Sequence, residues 1–227
     1  MRKVFIKFLV PVLFLFSCSK RNKIYDASMI FNENKYKVVE IQAETKDYSS
    51  TIGTGYFYED YLVTCLHVIS YKFLDVLNFY EEIKFRYYDE EKYHQVTLNK
   101  YFEENDLALL NVDKVLVKDQ FTKDNIAYDS SFGEKIFTIS NLNGNGLSME
   151  EGIVSIPKLI VKTDEYTKEV IQLDLTISSG SSGAPIFNNQ NRFLGMISFR
   201  MKDDNSNIIY GISFALTSSS IIKFIEK

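Results

Sequence analysis

From Lys37 onward the chain is divided into short apolar and aromatic stretches, bounded by turn residues, and almost none keeps a helical period. The first six are 37–44, 55–59, 61–64, 81–88, 92–102 and 107–112. A second six follow at 134–140, 152–161, 168–175, 185–187, 192–200 and 208–216. Strands this short and evenly spaced leave no room for the helices of βαβ units. The pattern predicts an all-β fold, barrels or sandwiches. Two groups of six predict two similar halves with a crossover near Asp113–Ser131. The clearest helix is the last. Ser218 to Ser220 offer an N-cap, and Ile221, Ile222, Phe224 and Ile225 give one apolar face. That helix runs to Lys227.

Composition narrows the function classes. A chain of 227 residues is one domain, or two small ones sharing a body. Hydrophobic residues at 45% and charged residues at 25% exclude disorder throughout. The formal charge of −4 gives no basic footprint, so nucleic acid is not an expected partner. Two Cys and two His make neither a disulfide scaffold nor a closed four-ligand zinc site of the common types. No metal or cofactor is called for. A mechanism that needs an imidazole has only His67 and His94 to draw on.

Residues 1–17 read as a secretory signal peptide. Arg2, Lys3 and Lys7 precede the apolar run Phe8–Phe16, and Ser17 is small. Its removal takes three positive charges and shifts the formal charge from −4 to −7. Leu15-Phe16-Ser17-Cys18 resembles a bacterial lipobox, with Phe16 where a small residue is usual. The expectation is a lipoprotein anchored to the membrane of the cell envelope through acylated Cys18. Residues 18–36 would then be the tether and N-terminal segment, and 37–227 the folded domain. An uncleaved span is disfavoured because Lys7 interrupts a run already short of about 20 apolar residues. With Cys18 acylated, Cys65 is left as a lone thiol, expected to be buried.

Three local patterns carry possible chemistry. Gly53-Thr54-Gly55 leads into the apolar run Tyr61–Thr64, with His67 on the turn beyond. Asp106 heads the apolar run Leu107–Leu110, where a half-buried carboxylate needs a hydrogen-bond donor such as an imidazole N–H. Gly180-Ser181-Ser182-Gly183-Ala184-Pro185 is a loop whose glycines can adopt backbone conformations closed to other residues. Such a loop can aim two N–H groups at one point beside a serine hydroxyl. Taken singly, His67 and Asp106 each have an ordinary structural reading. The chain order His67, Asp106, Ser182 joins the three.

These residues resemble the chymotrypsin-fold serine proteases, especially the bacterial HtrA-like and glutamyl-endopeptidase-like branch, with no PDZ domain expected after the terminal helix. Further segments carry the likeness: Glu151-Gly152-Ile153-Val154-Ser155, Asp174-Leu175-Thr176-Ile177, Phe193–Phe199 and Tyr210–Leu216, collinear over about residues 37–227. The resemblance implies two six-stranded antiparallel β-barrels, about 37–118 and 130–216, with a short C-terminal helix at 218–227. It also implies a Ser-His-Asp serine endopeptidase acting on extracytoplasmic proteins or peptides. Ser182 would be the nucleophile, His67 the base, Asp106 its orienting acid, and the N–H groups of Gly180 and Ser182 the oxyanion hole.

The resemblance places Thr176 at the base of the primary substrate pocket, Ser198 and Phe199 on one wall and Ser213 near the other. Arg200 takes a groove-edge position that is often Gly. None of the pocket residues is charged, so a small or medium apolar, or small polar, residue is expected before the cleaved bond. Ser181 stands where the animal digestive enzymes keep an Asp for activation, so zymogen activation of that kind is not expected. The competing reading is a protease-fold lipoprotein that binds or scaffolds without turnover. Its usual mark, a lost triad residue, is missing. The G-x-S-x-G elbow of α/β-hydrolases is missing too.

Overall fold

The computed structural model describes residues 23–47, 49–162, 167–202, 205 and 207–226. The expected signal peptide and Cys18 lie outside the described residues. The helix α1 (Ala27–Asn34) precedes the first barrel. That barrel is formed by β1 (Val38–Glu44), β2 (Ser50–Tyr58) and β3 (Tyr61–Cys65), then β6 (Glu82–Arg86), β7 (His94–Phe102) and β8 (Leu107–Asn111). The short helix α2 (Leu66–Ile69) and the hairpin of β4 (Ser70–Phe73) and β5 (Val76–Phe79) lie between β3 and β6. The strand order β1-β2-β3-β8-β7-β6 closes on itself, every pair being antiparallel.

The second barrel uses β9 (Lys135–Ser140), β10 (Ser148–Lys162), β11 (Thr167–Asp174), β12 (Pro185–Asn188), β13 (Phe193–Lys202) and β14 (Ile208–Thr217). Its closed order is β10-β11-β14-β13-β12-β9. Closure leaves no unpaired strand edge in either ring, which is how an all-β chain avoids edge-to-edge association.

Local sequence explains each element. β8 shows no alternation because both its faces are covered: Leu107, Ala108, Leu109 and Leu110 are all fully buried. β11 alternates for most of its length, burying Lys168, Val170 and Leu173 with Ile171 beside them. The final helix α3 (Ser218–Ile225) is capped by Thr217, whose hydroxyl accepts the Ser220 N–H at 3.2 Å. The predicted serine cap sits one residue late, because Ser218 is buried and donates instead to the Ala127 carbonyl at 2.7 Å. Ile221, Ile222 and Phe224 are the buried face. Phe224 stacks on Phe102 of the first barrel at 5.5 Å, so α3 spans both halves.

One aromatic cluster lies between the barrels. Phe121, from the crossover, packs on Tyr56 at 5.9 Å, Phe187 at 5.5 Å and Phe193 at 5.8 Å, and Tyr56 meets Phe193 at 5.1 Å. Helix α1 and the β4–β5 hairpin were not foreseen in the sequence, and α2 stands where only a turn was expected. α1 is capped by Asp26 and holds the Tyr25–Phe31 stretch against the chain's own core, with Tyr25 N–H donating to Asn189 O at 2.8 Å. The β4–β5 hairpin turns at Leu74 and Asp75, both with positive φ. Among the described residues, no helix is long and apolar enough to cross a membrane.

Candidate active site

The site is assembled where the two barrels meet. β3 ends at Cys65 and the chain turns at once into α2, secured by Ser70 Oγ donating to Leu66 O at 2.8 Å. Gly53 lets this turn pack close, since a Cβ there would lie 2.4 Å from Val68. Half of the His67 side chain stays exposed. Asp106 caps a 3-10 turn (Glu103–Asn105) in the left-handed conformation, φ 55°. The pairing of Cys65 with Leu107 across β3 and β8 brings it beside His67.

Asp106 then holds the histidine at both ends. The His67 N–H donates to Oδ1 at 2.9 Å, and Nδ1 lies 2.7 Å from Oδ2. Ser198 Oγ donates to the same Oδ2 at 3.2 Å. Burial lowers the His67 pKa, but the hydrogen bond and charge of Asp106 outweigh it, and the net shift is upward; the charge of Lys168 works against that. The arrangement fixes the tautomer that leaves Nε2 free as an acceptor.

Ser182 comes from the second barrel, on the loop before β12. Gly180 and Gly183 have φ of +87° and +86°. A Cβ on Gly180 would fall 2.0 Å from Asn141 O, and one on Gly183 would fall 2.0 Å from Thr54 O. Only glycine fits both the conformation and the space. The loop is tied to the first barrel through Thr54. Its N–H donates to Ser182 O at 2.9 Å, and its hydroxyl donates to Gly180 O at 2.6 Å while accepting the Asn141 N–H at 2.9 Å. Thr64 Oγ1 donates to Thr54 O at 2.8 Å. Within the loop, Ser181 N–H goes to Ser178 O and Gly183 N–H to Ile197 O. The N–H groups of Gly180 and Ser182 meet no acceptor among the described residues.

Ser182 and His67 line one cleft of about 520 Å³, with Ile177, Ser198, Phe199 and Arg200 along it. The Ser182 hydroxyl makes no hydrogen bond to the imidazole; such bonds are often long before substrate arrives. Ser181 is buried and polar-bonded, its Oγ accepting Ser178 N–H at 3.2 Å and lying 3.3 Å from Ser140 Oγ.

The residues expected around the substrate divide. Phe199 and Arg200 are on the cleft, Phe199 stacked on Phe214 at 4.7 Å. Ser198 reaches the cleft but commits its hydroxyl to Asp106. Thr176 and Ser213 are not among the cleft residues. Thr176 is exposed and lines a separate cavity of about 20 Å³, and Ser213 is buried, with Oγ donating to Leu175 O at 3.4 Å. Strand spacing alone could not show this, because the side chain of Arg200 lines both cavities.

His94 starts β7 and pairs with Glu90 at 2.9 Å, outside the cleft. Cys65 is a free, fully buried thiol donating to Ile197 O at 3.2 Å. Burial first, and then the charge of Asp106, pushes its pKa well up. Cys65, His67 and Asp106 offer donor atoms within 4.8 Å of one another, the one three-donor cluster among the described residues, but Nδ1 is already engaged with Asp106. Thr54 and Asn141 were missed as site residues. The Gly53-Thr54-Gly55 pattern was the available signal for the first.

Residues 53–196 match the family model described as trypsin-like peptidase domain. A probable periplasmic serine endoprotease DegP-like of Rickettsia prowazekii is 33% identical over 127 residues, 54% of this chain and 24% of that protein. A serine protease Do-like HtrA of Lactococcus lactis is 27% identical over 95% of this chain and 53% of its own length. The chain thus spans between about a quarter and a half of the curated relatives it matches. Among solved structures, the active form of the Rv3671c protease from M. tuberculosis superposes with a TM-score of 0.73 at 17% identity, over 97% of this chain and 94% of the other. The HtrA-type protease AlgW with tripeptide gives 0.70 at 19%, over 89% and 63%.

Proposed function

Because the chain belongs to the trypsin-like peptidase family, with His67, Asp106 and Ser182 all inside the matched segment, we propose that it is a serine endopeptidase using these three residues. The observation that carries this reading is one cleft shared by two barrels. An Asp106-held imidazole comes from the first, and from the second a serine on a loop with two unbonded N–H groups.

Ser182 at its free pKa is a weak nucleophile and needs a base. His67 Nε2 takes the Ser182 proton as Oγ attacks the substrate carbonyl. Asp106 stabilises the imidazolium without taking the proton itself. The negative oxygen that develops is met by the N–H groups of Gly180 and Ser182. Donors fixed in place this way contribute because they need no reorganisation as charge develops. His67 then returns its proton to the leaving amine, giving an acyl-enzyme on Ser182 that water hydrolyses through the same base.

The substrates are protein or peptide chains outside the cytoplasm, a reading supported by the expected signal peptide and by the periplasmic naming of the DegP-like relatives. Lipidated Cys18 is the proposed anchor. Replacing Cys18 by Ala in the full-length chain is expected to move the protein from the membrane fraction to the soluble fraction. Unchanged membrane recovery would end the lipoprotein reading.

An active-site-directed fluorophosphonate tests the catalytic assignment. Wild-type protein should label at Ser182, and Ser182→Ala and His67→Ala should not. A folded wild-type protein that neither labels nor cleaves an unfolded casein-like substrate would favour the binding-only reading.

A further inference from the structure

Arg200 lines both the catalytic cleft and a small cavity beside it. It leaves β13 beside Ser198 and Phe199 and crosses to the loop before Ser182, its Nη1 reaching Ile177 O at 3.5 Å. Arg200 and Ile177 are the two residues that line both the catalytic cleft of about 520 Å³ and the small cavity of about 20 Å³ beyond, the one that contains Thr176. The guanidinium and Ile177 are therefore the partition between them. A side chain entering from Ser182 meets Arg200 before it can reach Thr176.

The second observation is chemical. Among the described residues Arg200 carries the only permanent charge on the catalytic cleft, whose other polar lining consists of serines, Thr51 and the catalytic pair. Its one hydrogen bond is the long contact to Ile177 O, and no carboxylate pairs with it among the described residues. A guanidinium has five N–H donors in a rigid fork, so most remain available to a ligand.

We propose that Arg200 is the specificity-determining residue of this peptidase. It closes the primary pocket to a short slot and presents a cation at its end. The residue before the cleaved bond is then short, and among short residues of equal size the one with a carboxylate is preferred. The inference rests on the peptidase reading above and deepens it. The pocket is limited by a side chain from the groove edge, not by Thr176.

The test is a peptide library, varied at the residue before the cleaved bond and presented to the full-length protein. Ala, Ser and Asp are expected to exceed Leu, Phe and Lys in kcat/KM by about tenfold or more, and Asp to exceed Asn. Arg200→Gly should raise kcat/KM for Leu by about tenfold and abolish the Asp-over-Asn difference. Arg200→Lys should keep the Asp preference. Where thermal unfolding shows that Arg200→Gly has lost the fold, Arg200→Ala serves in its place with the same expectation. Wild-type protein that cleaves after Leu or Phe as readily as after Ala, or a folded Arg200→Gly variant with an unchanged profile, overturns the proposal. If that protein still labels with fluorophosphonate, the peptidase reading stands and only the role of Arg200 falls. Wild-type protein that does not label overturns both.

Discussion

His67 sits between two opposed influences, partial burial and the carboxylate of Asp106, and the carboxylate prevails. Its raised pKa has two pH consequences of different sign. In its proposed role as base the imidazole must be neutral, so kcat/KM is expected to rise with pH through a value above the usual histidine figure of 6.5. The protonated imidazole also stabilises the fold through Asp106. That contribution is fully present below the unfolded pKa and is lost as pH rises through the raised folded pKa. Asp106→Asn removes the charge and misdirects the tautomer. We expect kcat to fall by about 10⁴, and the histidine titration followed by NMR to move to lower pH. A variant whose histidine titrates unchanged would show that Asp106 is not the source of the shift. Ser198→Ala removes one of the donors to Oδ2. A hydrogen bond to a charged group is worth about 1.5–3 kcal/mol, so a measurable loss of activity is expected without loss of fold.

The elements act through their junctions. Strand β2 delivers Thr54 to the loop that carries Ser182, where its side chain and backbone make three bonds across the barrel boundary. Thr54→Val keeps the shape but leaves Gly180 O and Asn141 N–H without the hydroxyl. Each buried polar group left unpaired costs about 1–3 kcal/mol. Denaturant unfolding should therefore show a loss of about 2 kcal/mol or more, and fluorophosphonate labelling should slow because the loop is no longer held. Equal stability and equal labelling would mean the tie is redundant. Gly183→Ala should be worse. It forces a positive φ on a Cβ and drives that atom into Thr54 O. The expected outcome is protein that does not fold or does not label.

At the scale of the whole molecule, the barrels are joined mainly by apolar contact. Phe121 belongs to neither ring, yet it fills the space among Tyr56, Phe187 and Phe193. Phe121→Ala leaves a cavity that rigid strands on both sides cannot close. It is expected to cost about 3–5 kcal/mol, read as a lowered Tm. Activity should fall along with the fold, since His67 and Ser182 reach the cleft from different barrels. Tm equal to wild type would show that the barrels pack independently of Phe121.

What the sequence determined by itself is the set of local commitments. Period-two and continuous apolar runs dictate strands, and Gly180 and Gly183 dictate a loop open only to glycine. The order of His67, Asp106 and Ser182, with the flanking segments, points to one fold among the all-β possibilities. α1 and the β4–β5 hairpin were not legible. α1 has little apolar asymmetry and is stabilised by the barrel surface, and the hairpin leaves Phe73, Leu74 and Val76 exposed, so neither carries a strong burial pattern. Tertiary structure alone decided which side chains share the cleft. Residues on one strand alternate faces, and a long side chain such as Arg200 can cross from one wall to another. Thr176, Ser213 and Arg200 therefore could not be ordered along a pocket from their positions in the chain. Only the folded barrels show that Arg200 lines both the cleft and the small cavity that holds Thr176.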